Sequence, residues 1–151
     1  MTTKTNIILW RDLFVIIDDG SVPVDEYARL ETIVKEQARK NPGGLGCLVI
    51  IPQGAQPPPQ EVRRYLDGML NRLPIRALAY LVEGTGFRAA AARAALVGMR
   101  VFSRRSYSTK VASSLDEAIG WLLATLGPED ARKGDLPSAC KAIVDGRGAA
   151  A

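Results

Sequence analysis

The first residues that could do chemistry are Asp18-Asp19-Gly20, which follow an apolar run. Phosphate-transfer enzymes place Mg²⁺-holding aspartates at such a strand end. They space two carboxylates with one residue between them, whereas here the pair is adjacent. Along an extended chain adjacent side chains point to opposite sides, so a turn is the plainer reading. Gly84-Thr85-Gly86 is a second candidate, lying between a predicted strand and a predicted helix where backbone N–H groups can meet an anion. It is too short for a dinucleotide fingerprint and lacks the Gly-Lys-Ser/Thr ending of a P-loop. Thr85 as a helix cap, with glycines shaping the turn, accounts for it. A third set is Arg100, Arg104, Arg105 and Lys110 with Tyr107, either a basic patch or a solvated connection.

Histidine is absent from all 151 residues. Ser-His-Asp and Cys-His catalysis and imidazole metal sites are thereby removed. The two cysteines, Cys47 and Cys140, form no spaced pair of the zinc or thioredoxin kind. No catalytic residue, metal ligand or cofactor is assigned. An enzyme built on Asp18, Asp19, Glu83 or arginines would need acid, base and nucleophile to converge, and no such set is visible. The net charge of +4 is spread along the chain with few aromatics beside it, which disfavours nucleic acid. A 47% hydrophobic content argues for a globular fold. No apolar run approaches a membrane span of roughly 20 residues. The first residues carry no signal-peptide pattern, so a cytoplasmic location is expected.

The elements that must position any site centre on Leu45 to Leu73. Leu45–Ile51 is almost unbroken apolar sequence and predicts a strand covered on both faces. Pro52 to Pro59 is a proline-rich loop. Pro57-Pro58-Pro59 could be an exposed polyproline ligand, or could simply stiffen the loop and start the next helix. Val62, Tyr65, Leu66, Met69, Leu70 and Leu73 then fall on one helical face. Function in open α/β folds gathers where strands hand over to helices, which draws attention to this loop.

Upstream, Asn6–Trp10 and Leu13–Ile17 predict two strands joined tightly through Arg11-Asp12, an antiparallel hairpin. A helix follows from Val24 to Lys40, with Pro23, Asp25 and Glu26 suited to its start. Downstream, a strand is expected over Arg76–Glu83 and an alanine-rich helix over Arg88–Gly98. A short strand is expected over Arg100–Ser103, with residues 104–110 as a polar connection. Ser114 and Glu117 fit a capping box that opens a last helix through Leu126. The order is ββαβαβαβα. It predicts an α/β fold with a mixed, mostly parallel sheet of about five strands, an N-terminal antiparallel hairpin and about four helices. Residues 1–126 form the domain. Residues 127–151 read as a C-terminal extension, with a weak helix over Leu136–Val144 and then a disordered tail.

The element order from Asn6 to Leu126 resembles the STAS-like family, related to bacterial anti-sigma-factor antagonists and Sec14-like domains. The closest local likeness is Val111 to Leu122, which is similar to the family's final strand, Ser-Leu-acid-Glu-Ala start and Trp-Leu helix. Tyr80 to Met99, with Gly84-Thr85-Gly86-Phe87, is similar to the strand and helix before it. The resemblance implies a bacterial, non-catalytic regulatory module that binds another protein. Family members are controlled by phosphorylation of a Ser or Thr after the third strand. The matching stretch here, Pro52 to Glu61, has neither residue, so no acceptor is carried over.

The expected binding face is Gln53, Gly54, Gln56 and Pro57 to Pro59 with Thr85, Gly86 and Phe87. Both loops leave carboxyl ends of neighbouring strands, and they should be adjacent if the sheet is parallel there. A conspicuous apolar patch around Pro52 to Pro59 would mark protein binding. The alternative is a domain that binds a small ligand, a lipid or an anion, in an apolar pocket. A homodimer is a further expectation, through the alanine-rich helix or through Phe87, Phe102 and Trp121.

Overall fold

The structure, a computed structural model, describes residues 7–10, 12–84, 86, 89–94 and 107–126. Within them the order is β1 (Ile7–Trp10), β2 (Leu13–Ile17), α1 (Val24–Arg39), β3 (Leu45–Ile51), α2 (Gln60–Arg72), β4 (Ile75–Val82), α3 (residues 89–94), β5 (Ser108–Ala112) and α4 (Leu115–Leu126). The strands lie in one sheet in the order β1-β2-β3-β4-β5. β2, β3, β4 and β5 are mutually parallel, and β1 pairs antiparallel with β2. The fold is therefore α/β, the class that the alternation of strand and helix predicts.

β3 sits at the centre because almost every side chain in it is apolar and needs cover on both faces. Successive strand residues alternate between faces, and the core divides accordingly. Phe14, Ile16, Cys47, Val49 and Leu78 meet Tyr27, Leu30 and Val34 of α1 and Met69 and Leu70 of α2. Leu13, Val15, Leu48, Ile50, Ala77, Ala79 and Leu81 meet Ala118, Ile119 and Leu122 of α4 on the other face. α1 and α2 share a face because successive right-handed crossovers in an unreversed strand order place their helices together. α4 follows the last strand, is bound by no crossover, and packs mainly on β4 and β5.

The predicted apolar face of α2 is the face that the fold buries. Val62, Met69, Leu70 and Leu73 are buried, while Tyr65 and Leu66 are half-buried against the same cluster. α4 opens through the Ser114–Glu117 pair, a capping box in which Glu117 reaches one residue further back, to Ser113. The Glu117 N–H donates to Ser114 Oγ at 3.1 Å, and the Ser113 N–H donates to Glu117 Oε2 at 3.0 Å.

One strand falls where the sequence suggested none. Ser108–Ala112 pairs in parallel with β4, from Ala77↔Ser108 to Leu81↔Ala112, within and beyond the stretch expected as a polar connection. Among the described residues β5 has one strand neighbour, and it is only partly covered. Ser108 is exposed and Lys110 half-buried beside Glu117, so these polar residues keep access to water or to a charged partner, while Thr109 is buried. The strand expected at Arg100–Ser103 lies outside the described residues, as do the second half of the helix expected through Gly98 and the extension 127–151. No helix among the described residues is long and apolar enough to cross a membrane.

Candidate functional site at the carboxyl ends of the central strands

The loops that leave β2, β3 and β4 are tied to one another by backbone contacts. The Asp18 N–H donates to the Ile50 carbonyl at 2.9 Å, and the Glu83 N–H donates to the Ile51 carbonyl at 2.9 Å. These bonds carry each parallel pairing up to the loop. Pro52 to Ala55 then forms a tight turn, closed by the Ala55 N–H on the Pro52 carbonyl at 3.1 Å, with Gly54 at φ +82°. Beyond the turn, the Gln56 N–H donates to the Asp19 carbonyl at 3.2 Å. The Gln56 carbonyl sits so close to Gly20 that a Cβ there would lie 1.9 Å from its oxygen.

On the other side, the Gln53 side chain lies against Gly84. A Cβ on Gly84 would be 3.1 Å from Gln53 Cγ. Between the β3–α2 and β4–α3 loops a cleft of about 320 Å³ opens. Ile51, Pro52, Gln53, Gly54 and Ala55 form one wall, Val82, Glu83 and Gly84 the other, and Ala89 and Ala92 of α3 the back. Alanines suit that position because α3 then approaches without filling the space. Arg93 fixes the β4 side, since its Nη2 donates to the carbonyls of both Val82 and Gly84 at 2.9 Å.

The predicted residues divide across this end of the sheet. Gln53 and Gly54 line the cleft. Gln56 instead rests on the β2 loop. Pro57 is exposed and Pro58 half-buried, and neither lines the cleft. Gly86 is exposed with φ +96°, and its carbonyl accepts the Ala90 N–H at 3.1 Å, opening α3. Thr85 and Phe87 lie outside the described residues. Pro59 caps α2 through its carbonyl, which accepts the Arg63 N–H at 3.0 Å. A further groove of about 370 Å³ runs between Gly20 to Asp25 and the start of α2 at Pro59, Glu61 and Val62.

The sheet order bears on where a site can form. Among the described strands the order does not reverse, so they open no crevice of the doubly wound kind between diverging helices. The cleft arises from the loops and from the small side chains of α3. Sequence reasoning missed Arg93, Glu83, Ala89 and Ala92 as parts of it. Only the alanine-rich composition of α3 signalled that something approaches closely there.

Asp18-Asp19-Gly20 is a turn held by its own carboxylates. The Gly20 N–H donates to Asp18 Oδ1 at 3.1 Å, and the Ser21 N–H donates to Asp19 Oδ1 at 2.9 Å. Asp18 is buried, and burial pushes its carboxyl above the ordinary value. The Gly20 N–H opposes that rise, and the neighbouring Asp19 adds to it. The Tyr27 hydroxyl lies against Asp18 and is pushed well above its usual range, first by burial and then by Asp18. Asp18 and Glu83 leave strands that flank β3, so roughly 10 Å of sheet separates their Cα positions. Among the described residues, no three His, Cys, Asp or Glu side chains converge with metal-holding geometry. No protein-family model, curated protein or solved structure matches the chain.

Proposed function

We propose that this chain is a non-catalytic regulatory module of STAS-like type that binds another protein through the loops after β3 and β4. The observation that supports this reading is the packing of Gln53 on Gly84, which joins the two loops into one exposed face around the cleft. Among the described residues the face offers Gln53, Gly54, Gln56 and Pro57, all exposed, and lacks the conspicuous apolar patch expected to mark protein binding. Recognition would rest on amide hydrogen bonds, loop backbone and proline rings. The Pro52–Glu61 stretch has no hydroxyl to phosphorylate, so control would come from the level of the partner or from a ligand.

The test is affinity capture from the native host with the wild-type chain and with Q53A/Q56A. The reading expects a specific protein retained by the first and lost by the second, with both equally folded. Equal capture by both would refute the face. A small ligand is the alternative, supported by the size and largely apolar lining of the cleft. Native mass spectrometry of the purified chain distinguishes the two, since a bound lipid or anion displaced by Gly54→Trp would favour the ligand.

A further inference from the structure

Pro57-Pro58-Pro59 lines no wall of the cleft and has an interaction chemistry of its own. The pyrrolidine ring fixes φ at about −65° in each of these residues. Gln56, Pro57 and Pro58 each precede a proline, which drives their ψ toward extended values. Pro59 has φ −56° and ψ 154°, and the peptide bonds among the described residues are trans. Residues 57–59 are thereby confined to the polyproline II conformation, a helix of three residues per turn.

The pattern of exposure has that period. Ala55 and Pro58 are half-buried, whereas Gln56, Pro57 and Pro59 are exposed. One edge of the segment therefore rests on the protein and the other two face solvent. Both ends are held. The Gln56 N–H donates to the Asp19 carbonyl, and the Gln56 carbonyl lies against Gly20. At the other end the Pro59 carbonyl accepts the Arg63 N–H at the head of α2. Proline has no N–H to donate. Among the described residues the carbonyls of Pro57 and Pro58 accept no hydrogen bond. The segment thus presents ring edges and free acceptors on a rigid backbone. Starting α2 accounts for Pro59, its N-cap. It does not require Pro57, which stands before the cap and is exposed.

We propose that Pro57 to Pro59 is a preformed polyproline ligand that docks into an aromatic-lined groove on the partner protein. The inference rests on the reading of these loops as a protein-binding face and names the chemistry of what binds them. Tyrosine and tryptophan rings that wall such a groove pack on the proline rings. Their hydroxyl and indole N–H groups donate to the Pro57 and Pro58 carbonyls. The segment is already ordered, so docking loses little chain entropy. One turn of polyproline covers little area, so the contact is weak, with a Kd on the order of 0.1 mM.

A purified WW domain and a purified Src-homology-3 domain, isotope-labelled, are the probes in NMR titrations with the full chain up to about 1 mM. At least one should bind through its aromatic groove, and a free proline decamer should displace the chain. Pro57→Ala/Pro58→Ala should weaken that binding at least about fivefold with unchanged circular dichroism. A chain that shifts neither probe over the whole range overturns the proposal. So does binding that both the decamer and the double variant leave intact. The protein captured from the native host separates this inference from the reading beneath it. Capture lost with Q53A/Q56A, yet untouched by the decamer and by Pro57→Ala/Pro58→Ala, would keep the face and overturn the polyproline assignment. Capture abolished by the decamer and by the proline variant, yet kept by Q53A/Q56A, would support the polyproline assignment and refute the amide face.

Discussion

Arg72 of α2 grips Glu31 of α1 through two parallel bonds, Nε to Oε2 at 3.0 Å and Nη2 to Oε1 at 2.8 Å. The Tyr65 hydroxyl donates to the same Oε1 at 2.7 Å, Lys35 lies 3.2 Å from Oε2, and the guanidinium stacks over the Tyr65 ring. Glu31 is otherwise buried, so these partners are what allow it to be charged there. The pair ties together the two helices on one face of the sheet.

The Arg72 guanidinium holds the Glu31 carboxyl down to about 2, against an ordinary value of 4.5. A carboxyl depressed in the folded state stabilises the fold above its unfolded value, and that contribution is lost as pH falls through the folded value. The window is therefore pH 4.5 down to about 2. Urea midpoints across it should fall less steeply for E31Q than for the wild type. R72A should lower the midpoint at neutral pH because it leaves a buried carboxylate with fewer partners. The double variant should cost less than the sum of the two, since both act on one contact.

Asp18 should behave in the opposite sense. Burial, its largest influence, raises the folded value above 3.8, so the charged form opposes folding near neutrality. D18N keeps an oxygen for the Gly20 N–H and removes the charge. It should unfold at a higher temperature than the wild type at neutral pH. The advantage should shrink as pH falls through the raised Asp18 value and vanish once the carboxyl is protonated in both states. Thermal melts at several pH values read this directly. An advantage that grows on acidification would contradict the placement of Asp18.

The parts of this fold that were legible in the sequence are those whose pattern is fixed by burial alone. β3 is apolar because both of its faces are covered, and the single apolar face of α2 meets the sheet. β5 was not legible. As the last strand of the sheet among the described residues it mixes Ser108 and Lys110 with Thr109 and Val111, so its alternation resembles a polar loop. The candidate face was legible as two loops but not as a cleft. Gln53 meets Gly84 only because β3 and β4 are parallel neighbours in register, and Arg93 acts through carbonyls, which leave no mark on the sequence around it. The proximity of Gln56 to Gly20 depends in the same way on two separate turns meeting.

Arg93 makes a prediction about the cleft itself. Its Nη2 holds the Val82 and Gly84 carbonyls together at the end of β4. R93A removes both bonds and should destabilise the chain by about 1–3 kcal/mol. The more specific effect should be local. Hydrogen exchange should quicken at Glu83, Gly84 and Gly86 while β3 keeps its protection. Uniform loss of protection across the sheet would mean that Arg93 supports the whole fold and not this loop.

Gly20 provides the sharpest test of how the loops are joined. It has φ +86°, and any Cβ would collide with the Gln56 carbonyl, at 1.9 Å from its oxygen and 2.8 Å from its carbon. Gly54 has a similar φ of +82° but nothing within 4 Å of where its Cβ would stand. Both alanine variants bear the left-handed backbone cost of about 1–2 kcal/mol, because that cost is intrinsic to an L-residue. Only G20A must also move the Pro52–Pro59 loop, since the obstructing atoms are backbone and cannot rotate away. G20A should therefore be clearly less stable than G54A in urea, and it should release the Gln56 N–H from the Asp19 carbonyl, visible as faster exchange at that amide. Equal costs for the two variants would show that the β2 and β3 loops are not packed together, and the three-loop face would lose its first link.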